Sequence, residues 1–439
     1  MYYYVRLLKN TPMEAVIGEP FKIVFTITTD LTEATYQKPC KLHCHAVVRT
    51  KKALQSTGAE ENDKDGDSAM AAVAATTATI ITQGLAQGAS LMYDPSTGFC
   101  TADIRFAPCM TAYEECQLVL SLDRSAFQPQ VSRGAAAGGR RVATGPAMEP
   151  PEYEILPAWS LPIQLVPPPL NQQQKHRKVN KKYLIDTRQD LVERYFRLPP
   201  HLEICQRMEA IAGPGARSLL IREDATEGFM ARHIWDSGVF MARYLMQPDS
   251  WLSRYMQEEK EKEKKKEKEE EAKNKQDDDD AQGSNKTEKK ARKCLELGAG
   301  TGLVGIAVAV AFPELEVEST DLEEALQLMQ QNVDDNGAFL LRKNMKVGFL
   351  DWAETDRQGV EPVEVLLLAD VVYNEISHGI LLQTILDYSD AHTKVLLGYK
   401  FRHEAEAQFF EEAKKHFDMQ VVHQQDTMQL FVLTRKEQK

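Results

Sequence analysis

The carboxyl-terminal part of the chain alternates short apolar runs with segments of helical periodicity. The predicted strands are 293–297, 315–320, 345–350, 363–369 and 394–399, and the predicted helices are 302–311, 322–336, 376–388 and 403–417. Such alternation predicts a parallel sheet covered by helices on both faces. Two last runs, 418–424 and 428–434, are too close together for a crossover helix and are predicted to form an antiparallel hairpin. The predicted fold class is therefore α/β, with a seven-stranded, mostly parallel Rossmann-like sheet that ends in a C-terminal antiparallel hairpin.

The amino-terminal third has a different pattern, without helical periodicity. β-branched runs such as "PFKIVFTITT", "KLHCHAVVRT" and "CQLVLSL" are bounded by glycine and proline. This pattern predicts an N-terminal all-β, sandwich-like domain over residues 1–168. Two low-complexity segments inside it, 57–90 and 132–149, are predicted to be long loops with little structure of their own.

Two further segments divide the rest of the chain. Residues 169–195 are rich in proline, glutamine and lysine and are predicted to be a linker, so that the second domain comprises 196–439. Residues 257–292 within that domain are densely charged and have no apolar face. They are predicted to be a disordered, solvated insertion whose first half extends a helix through Glu–Lys pairs.

Charge and cysteine content restrict the partners. The 439 residues carry a net charge of −12, which argues against an obligatory nucleic-acid partner. The seven cysteines are scattered, and the sequence has no apolar run of about 18 residues. These features predict no membrane partner and a reducing compartment, the cytoplasm, with the nucleus as a second location. "CKLHCH" (40–45) invites a zinc interpretation, but no second pair follows at finger spacing and alternation puts it on a strand, so no metal is predicted.

The stretch "LELGAGTGLVGIA" (295–307) places three glycines between a predicted strand and a predicted helix. Gly298 is expected to make the turn, Gly300 to let a ligand approach the backbone, and Gly302 to begin the helix against the sheet. The loop does not match the nicotinamide pattern, because Leu303 stands where its last glycine belongs. It also lacks the Lys-Ser/Thr pair of a phosphate loop.

Two carboxylates accompany this loop. Asp321 ends the next strand roughly 20 residues on, where a ribose-binding acid is expected, and Glu296 precedes the first glycine. Two negative charges would repel a pyrophosphate but suit a ribose and a cationic ligand. S-adenosylmethionine, which carries a sulfonium and an ammonium group, fits better than NAD. Asp321 has an alternative role as N-cap of helix 322–336, and Glu296 is either an acceptor beneath the loop or a solvated strand end.

With "TDLEEALQLMQQNVDDN", "LDW", "LLLADVVYNE" and "IWDSGVFMARYL" added, residues 218–434 resemble the class I, seven-β-strand S-adenosylmethionine-dependent methyltransferases. Within that class they are similar to the non-histone protein-lysine methyltransferases that act on heat-shock chaperones, the valosin-containing ATPase and translation elongation factors. The resemblance implies S-adenosyl-L-methionine as cofactor and a protein substrate of the chaperone, AAA ATPase or translation-factor kind. It leaves the oligomeric state open.

The resemblance also implies roles for individual residues. Trp235 would lie beside the methionine end of the cofactor, with a core anchor as the alternative, Asp321 would hold the ribose hydroxyls, and Trp352 would cover the adenine. The implied cofactor-binding residues are Trp235, Glu296, Gly298, Ala299, Gly300, Gly302, Asp321, Leu322, Trp352 and Ala369, and the implied catalytic residues are Asp370 and Tyr373. His378, His403, His416, Lys400 and Arg402 are predicted to be surface residues, with substrate guidance as an alternative for the last two.

These residues favour a lysine amine as the methyl acceptor. Asp370 would orient the amine and accept a proton, and Tyr373 would align its lone pair. Val371 and Val372 stand where methyltransferases of flat amide-like nitrogens have two prolines, which favours a flexible alkyl amine. Two alternatives stay open: transfer to another nucleophile, such as a protein histidine or a small molecule, and an adaptor whose β domain binds a partner at a sheet edge.

Overall fold

In the computed structural model the chain forms two compact units. One comprises Met1–Phe196 with Ile211–His233, and the other comprises Arg197–Ala210 with Ile234–Lys439. The described residues are 2–8, 11–30, 34–51, 76–81, 90–107, 110, 115–123, 130–133, 141–145, 154–160, 163–168, 191–206, 218–224, 230–274, 292–341, 343–354 and 360–437. No helix among them has the length and apolarity needed to cross a membrane.

The described part of the first unit consists mainly of β-strands. They are β1 (Tyr2–Leu7), β2 (Glu14–Val16), β3 (Pro20–Thr28), β4 (Cys40–Lys51), β5 (Thr76–Ile81), β6 (Ser90–Tyr93), β7 (Cys100–Arg105), β8 (Glu115–Leu122), β9 (Gln130–Arg133), β10 (Arg141–Gly145), β11 (Glu154–Leu156), β12 (Ala158–Trp159), β13 (Ile163–Val166), β14 (Leu191–Arg197) and β15 (Ser218–Asp224). One sheet has the order β11-β1-β3-β7, and a nine-stranded sheet contains the path β15-β14-β12-β8-β13-β2 with β4, β5 and β6 attached through β4. Val5 and Ile23 of the first sheet share a buried cluster with Leu42 and Leu118 of the second.

The structure differs from the sequence prediction at three places in this unit. Strands β14 and β15 pair in the nine-stranded sheet, so the first unit extends past the predicted boundary at residue 196. The segments 57–90 and 132–149 are not structureless throughout, because they contain β5 and β10. Both strands have β-branched residues, and each finds a neighbour: β5 pairs with β4, and β10 pairs with β9. Residue 90 in β6 and residues 132–133 in β9 are also described, whereas the rest of these two segments and most of the predicted linker lie outside the described residues.

The second unit is built around a seven-stranded, mostly parallel sheet. Its elements are α1 (Asp236–Leu245), α2 (Trp251–Asn274), β16 (Arg292–Leu297), α3 (Leu303–Ala311), β17 (Leu315–Asp321), α4 (Glu323–Asp335), β18 (Met345–Phe349), β19 (Val365–Ala369), α5 (His378–Asp387), β20 (Lys394–Lys400), α6 (Ala407–His416), β21 (Phe417–Gln425) and β22 (Met428–Arg435). The order is β18-β17-β16-β19-β20-β22-β21. Strand β22 runs antiparallel to both of its neighbours, so the terminal hairpin is confirmed.

Helices cover both faces of this sheet. On one face, Leu295 and Leu297 of β16 join a buried cluster with Leu381 of α5 and Phe409 of α6. Side chains alternate along a strand, so Glu296 points to the other face, where its carboxylate accepts a hydrogen bond from a backbone N–H of α3. The chain runs from β16 to β17 and β18 and then returns to β19. Ligands bind at such a change of direction, beside the carboxyl ends of β16 and β19.

The charged insertion is helical in its first part. Helix α2 begins with apolar residues, of which Leu252 and Met256 are buried, and continues to Asn274. Its exposed portion has pairs such as Lys262 with Glu259, at 2.7 Å. The predicted helix extension is confirmed, and disorder was the wrong expectation for 257–274, because a buried first turn and charge pairs support the helix. Residues 275–291 lie outside the described residues.

Candidate active site at the carboxyl ends of the parallel strands

The glycine loop after β16 has a backbone that side chains would obstruct. Gly298, Gly300 and Gly302 have φ angles of 64°, 56° and 77°. A Cβ on Gly298 would lie 2.9 Å from Cγ1 of Val371 and 3.0 Å from Cζ2 of Trp352. A Cβ on Gly302 would lie 2.9 Å from Cγ of Met329. Backbone conformation therefore favours glycine at all three positions, and close packing also excludes a Cβ at Gly298 and Gly302.

Hydrogen bonds hold the loop in one shape. The Gly302 N–H donates to the Ala299 carbonyl at 2.8 Å, and the Ala299 N–H donates to the Thr320 carbonyl at 3.0 Å. The buried side chain of Asn332 in α4 donates to the Thr301 carbonyl at 2.9 Å. The loop is thus fixed to both the neighbouring strand and helix α4.

Asp321 joins the end of β17 to this loop. Its Oδ2 accepts a hydrogen bond from the Gly300 N–H at 2.7 Å, and its Oδ1 accepts one from the Leu322 N–H at 2.8 Å. Leu322, which is 40% exposed, is the cap residue of α4, so the N-cap alternative for Asp321 is wrong. Burial raises the pKa of Asp321, opposed by the two backbone hydrogen bonds. Each oxygen keeps further acceptor capacity, which suits a pair of ligand hydroxyls.

Glu296 lies beneath the loop and is 2% exposed. Its Oε2 accepts hydrogen bonds from the Gly305 N–H at 3.0 Å and from the Ser319 hydroxyl at 2.5 Å. Burial raises its pKa to about 7, and the charge of Asp321 acts in the same direction. The solvated-strand-end alternative is therefore wrong, and the expectation of a second full negative charge facing a ligand is not met, because the carboxyl group is engaged by the fold.

Gly305 was not recognised from the sequence as part of this region. A Cβ there would lie 2.0 Å from Oγ of Ser319 and 2.5 Å from Oε2 of Glu296. The available signal was a glycine inside the otherwise apolar helix "LVGIAVAVA", which usually marks close packing.

Asp370 follows β19 directly and adopts a left-handed backbone with φ of 61°. Its N–H donates to the Gly398 carbonyl at 3.0 Å, and the residue is 7% exposed. Nη1 of Arg402 donates to Oδ1, and Nη2 donates to Oδ2 at 2.7 Å. The surface assignment of Arg402 is therefore wrong: its side chain is 15% exposed and turns inward to the carboxylate.

Tyr373 is 51% exposed in the bend after β19. Its partial burial raises the pKa of the phenol, and the charges of Asp321 and Asp370 raise it further. The hydroxyl consequently stays protonated at neutral pH and can donate a hydrogen bond. Asp321 ends β17, and Asp370 and Tyr373 follow the end of β19, so the three residues lie at the carboxyl edge of the parallel sheet.

The bend that carries Tyr373 is supported by His378. Its Nε2 lies 2.9 Å from the Val372 carbonyl oxygen, and its ring packs edge-on against Phe409. His378 is half-buried, so its surface assignment is wrong. His403 and His416 are exposed, as expected, and His403 caps the short turn before α6.

Trp235 precedes α1 and is half-buried. The next residue, Asp236, is fully buried and accepts a hydrogen bond from Nζ of Lys400 at 2.8 Å. Lys400 is 6% exposed, so its surface assignment is also wrong. Cζ of Arg402 lies 5.9 Å from the centre of the Trp235 ring, within cation–π range. Lys400 at the end of β20 thus binds Asp236, and Arg402 just after it contacts both Trp235 and Asp370.

The remaining implied residues surround the loop. Trp352 is half-buried, packs against the apolar cluster of the sheet and reaches Gly298. Ala369 is the last residue of β19 and is half-buried. The structure thus places the implied residues of β16, β17, β18 and β19 at the carboxyl ends of these strands.

In the first unit, the "CKLHCH" stretch lies on β4, as predicted from its alternation. Burial raises the pKa of the Cys40 and Cys44 thiols to about 12. The part of the chain that the structure describes contains no cluster of three or more potential metal ligands.

A parallel sheet closed by an inserted antiparallel strand, with a glycine loop and an acidic residue on the adjacent strand, defines the class of methyltransferase-like α/β domains. Residues 215–416 match the family model described as lysine methyltransferase. This match confirms the resemblance inferred from the sequence for that part of the chain.

Individual relatives agree with the family match. Protein N-lysine methyltransferase METTL21A of Danio rerio is 35% identical over 105 residues, which are 24% of this chain and 48% of the relative. The Xenopus tropicalis protein of the same name is 33% identical over 102 residues, 23% of this chain and 47% of the relative. The chain therefore spans about half the length of these relatives. Among solved structures, mitomycin 7-O-methyltransferase MmcR aligns with a TM-score of 0.29 and 15% identity, over 33% of this chain and 49% of that one.

Proposed function

We propose that the protein is an S-adenosylmethionine-dependent methyltransferase that acts on a lysine side chain of a non-histone protein. The observation that carries the proposal is that the segment from Asp370 to Tyr373 packs, through Val371, against Gly298 of the glycine loop that Asp321 holds. The family match over residues 215–416 supports the same reaction.

The residues of the site fit the cofactor. Gly298, Gly300 and Gly302 carry no side chain, so the backbone of the loop can come close to a ligand. Asp321 would hold the ribose hydroxyls, Trp352 and Ala369 would border the adenine, and Trp235 would border the methionine end. Leu322 is exposed beside Asp321 and would cover the sugar. When bound, the cofactor supplies a methyl group on a positively charged sulfur.

The protein has to deliver a neutral amine. A lysine with a reference pKa of about 10.4 costs roughly 4–5 kcal/mol to deprotonate at pH 7. Partial desolvation disfavours the ammonium form, and the Tyr373 hydroxyl oxygen can accept a hydrogen bond from an amine N–H, which leaves the nitrogen lone pair free to attack the methyl carbon. Because Arg402 already binds both oxygens of Asp370, we assign Asp370 to orienting the amine.

We assign the first unit to recognition of the protein substrate. The buried cluster that its two larger sheets share supports a sandwich-like body, and a β-rich unit offers sheet edges for partners. Chaperones, AAA ATPases and translation factors are the proposed substrate classes. We further propose a reducing compartment, the cytoplasm or nucleus, because the described cysteines form no disulfide.

Labelling identifies the reaction. The purified full chain is incubated with tritiated S-adenosylmethionine and cell lysate, and labelled proteins are examined by mass spectrometry. We expect label on lysine. Label on histidine or in small molecules would reject the lysine assignment.

Two variants make this experiment specific. Asp370→Asn should transfer methyl groups far more slowly, with a residual rate that can still be measured, and keep its affinity for S-adenosylhomocysteine, because Asp370 is assigned to the acceptor side. Asp321→Ala should lower that affinity by about 10–100-fold. Equal activity of Asp370→Asn and the unmodified chain would reject the assignment of the site.

A further inference from the structure

We propose that Arg402 is a positioning residue for methyl transfer: its guanidinium fixes the plane of the Asp370 carboxylate that orients the acceptor amine. The inference rests on the proposed function. The family match over residues 215–416 includes Arg402 but gives it no role, and its place in the sequence suggested only a surface position or substrate guidance, not a contact with Asp370.

The contact between the two side chains is a two-pronged one. Nη1 and Nη2 of Arg402 donate to Oδ1 and Oδ2 of Asp370, the second bond at 2.7 Å. Two parallel bonds from a planar guanidinium set the plane of a carboxylate, which a single bond or a point charge cannot do. The side chains are 15% and 4% exposed, so water screens the pair poorly.

Arg402 is itself anchored on the protein. Its Nη1 also donates to the Lys400 carbonyl at 3.3 Å, and its backbone N–H donates to Oε2 of Glu406 at 3.2 Å. The buried Glu406 is held in turn by the Tyr399 hydroxyl at 2.6 Å. The Trp235 ring borders the guanidinium. The arginine is thus a fixed support for the carboxylate.

Asp370 needs such a support and keeps capacity for a substrate. Its φ of 61° is unusual for a residue other than glycine, and strained backbones of this kind persist where surrounding contacts hold them. A carboxylate has about four acceptor positions, and the guanidinium uses two of them. The other positions can accept hydrogen bonds from an amine in a direction that Arg402 determines.

A rival explanation is that Arg402 occupies the place of the substrate cation. A carboxylate beside an aromatic ring would attract a lysine ammonium, and Arg402 would then have to leave before substrate could bind. The bond from Nη1 to the Lys400 carbonyl favours a permanent support, because it holds the guanidinium itself. The two explanations predict opposite effects of removing the arginine.

The test uses the full chain and the acceptor protein isolated from the labelling experiment. Initial rates with tritiated S-adenosylmethionine give kcat and KM for Arg402→Met, Arg402→Lys, Asp370→Asn and the double variant Asp370→Asn/Arg402→Met. Calorimetry gives the S-adenosylhomocysteine affinity of each. Arg435→Met is the matched control, since Arg435 is another half-buried arginine and donates to the carbonyls of Leu386 and Ser389.

We expect Arg402→Met to lower kcat on the order of 100-fold, as a misplaced reacting group does, with the S-adenosylhomocysteine affinity within ~3-fold of the unmodified chain. Arg402→Lys should recover less than about a tenth of the lost rate, because lysine lacks the fork. In the Asp370→Asn background, Arg402→Met should change kcat by less than ~3-fold, because the arginine acts through that carboxylate. Arg435→Met should keep its kcat.

Other outcomes overturn the inference in distinguishable ways. An unmodified chain that transfers no methyl group to lysine overturns both the proposed function and the role of Arg402. If the unmodified chain is active and Arg402→Met is equally active, only the role of Arg402 is overturned. A lower KM or higher rate in Arg402→Met would establish the rival explanation. If the kcat loss of the double variant equals the product of the losses of the two single variants, Arg402 has a purely structural role. The same conclusion follows if Arg402→Met loses its affinity for S-adenosylhomocysteine.

Discussion

The Glu296→Gln substitution tests whether the carboxyl group beneath the glycine loop is a neutral acceptor in the folded protein. Burial raises the pKa of Glu296 from 4.5 to about 7. Between these values the folded state binds more protons than the unfolded state, so the stability that this group contributes is present below pH 4.5 and is lost as pH rises through about 7. At 1.36 kcal/mol per pKa unit, the loss amounts to about 3 kcal/mol.

Glutamine is neutral throughout this range, and its carbonyl oxygen can still accept from the Gly305 N–H and the Ser319 hydroxyl. The unfolding free energy of Glu296→Gln should therefore rise by about 3 kcal/mol relative to the unmodified chain between pH 4.5 and pH 8. For a folded unit of the size of the second one, this corresponds to a change of about 6–12 °C in the Tm difference between Glu296→Gln and the unmodified chain.

Differential scanning calorimetry of the full chain at closely spaced pH values measures this difference. Other titrating groups are common to both proteins and cancel. Glu411→Gln is the control, because Glu411 is exposed and pairs with Lys414, and its difference curve should be nearly flat. Parallel stability curves for Glu296→Gln and the unmodified chain would refute the assignment of a buried, neutral Glu296.

Three other substitutions test the packing of the site. Lys400→Met leaves the buried Asp236 carboxylate without its ammonium partner and should lower the free energy of unfolding by about 3–5 kcal/mol. The double variant Lys400→Met/Asp236→Leu should recover most of this loss, and urea unfolding measures both variants. Gly298→Ala should abolish binding of S-adenosylhomocysteine in calorimetry, because of the φ of 64° and the contact with Val371. Gly305→Ala should lower the free energy of unfolding by about 1–3 kcal/mol, and with it Tm, because the added Cβ forces Ser319 and Glu296 apart. An unchanged Tm would contradict the packing described.

The sheet could be predicted because its signals are local. Strand β19 is a short apolar run, and β17 alternates apolar and polar residues. The separation of 418–424 from 428–434 left no room for a helix, which required the hairpin. The glycine loop and Asp321 could be predicted for a similar reason, since strand ends and turns are visible in the order of residues. Asp321 then met the loop through the Gly300 N–H.

Long-range pairing could not be predicted in the same way. Lys400 and Arg402 look like ordinary basic residues after a strand, and their partners, Asp236 and Asp370, are far away in sequence. Strand β15 was missed because its position depends on pairing with β14, and the two strands are separated in the sequence by intervening residues. Glu296 was placed correctly in sequence, but its burial depended on α3 and on Ser319 of the adjacent strand.

Calorimetric titration of the full chain with S-adenosylhomocysteine tests the central claim most directly, with Asp321→Ala as the matched variant. We expect heat of binding at one site in the unmodified chain and an affinity lower by about 10–100-fold in Asp321→Ala, the loss of hydrogen bonds to a charged group. Equal affinities would contradict the role of Asp321. No heat of binding in the folded, unmodified chain would contradict the account of the site as a whole.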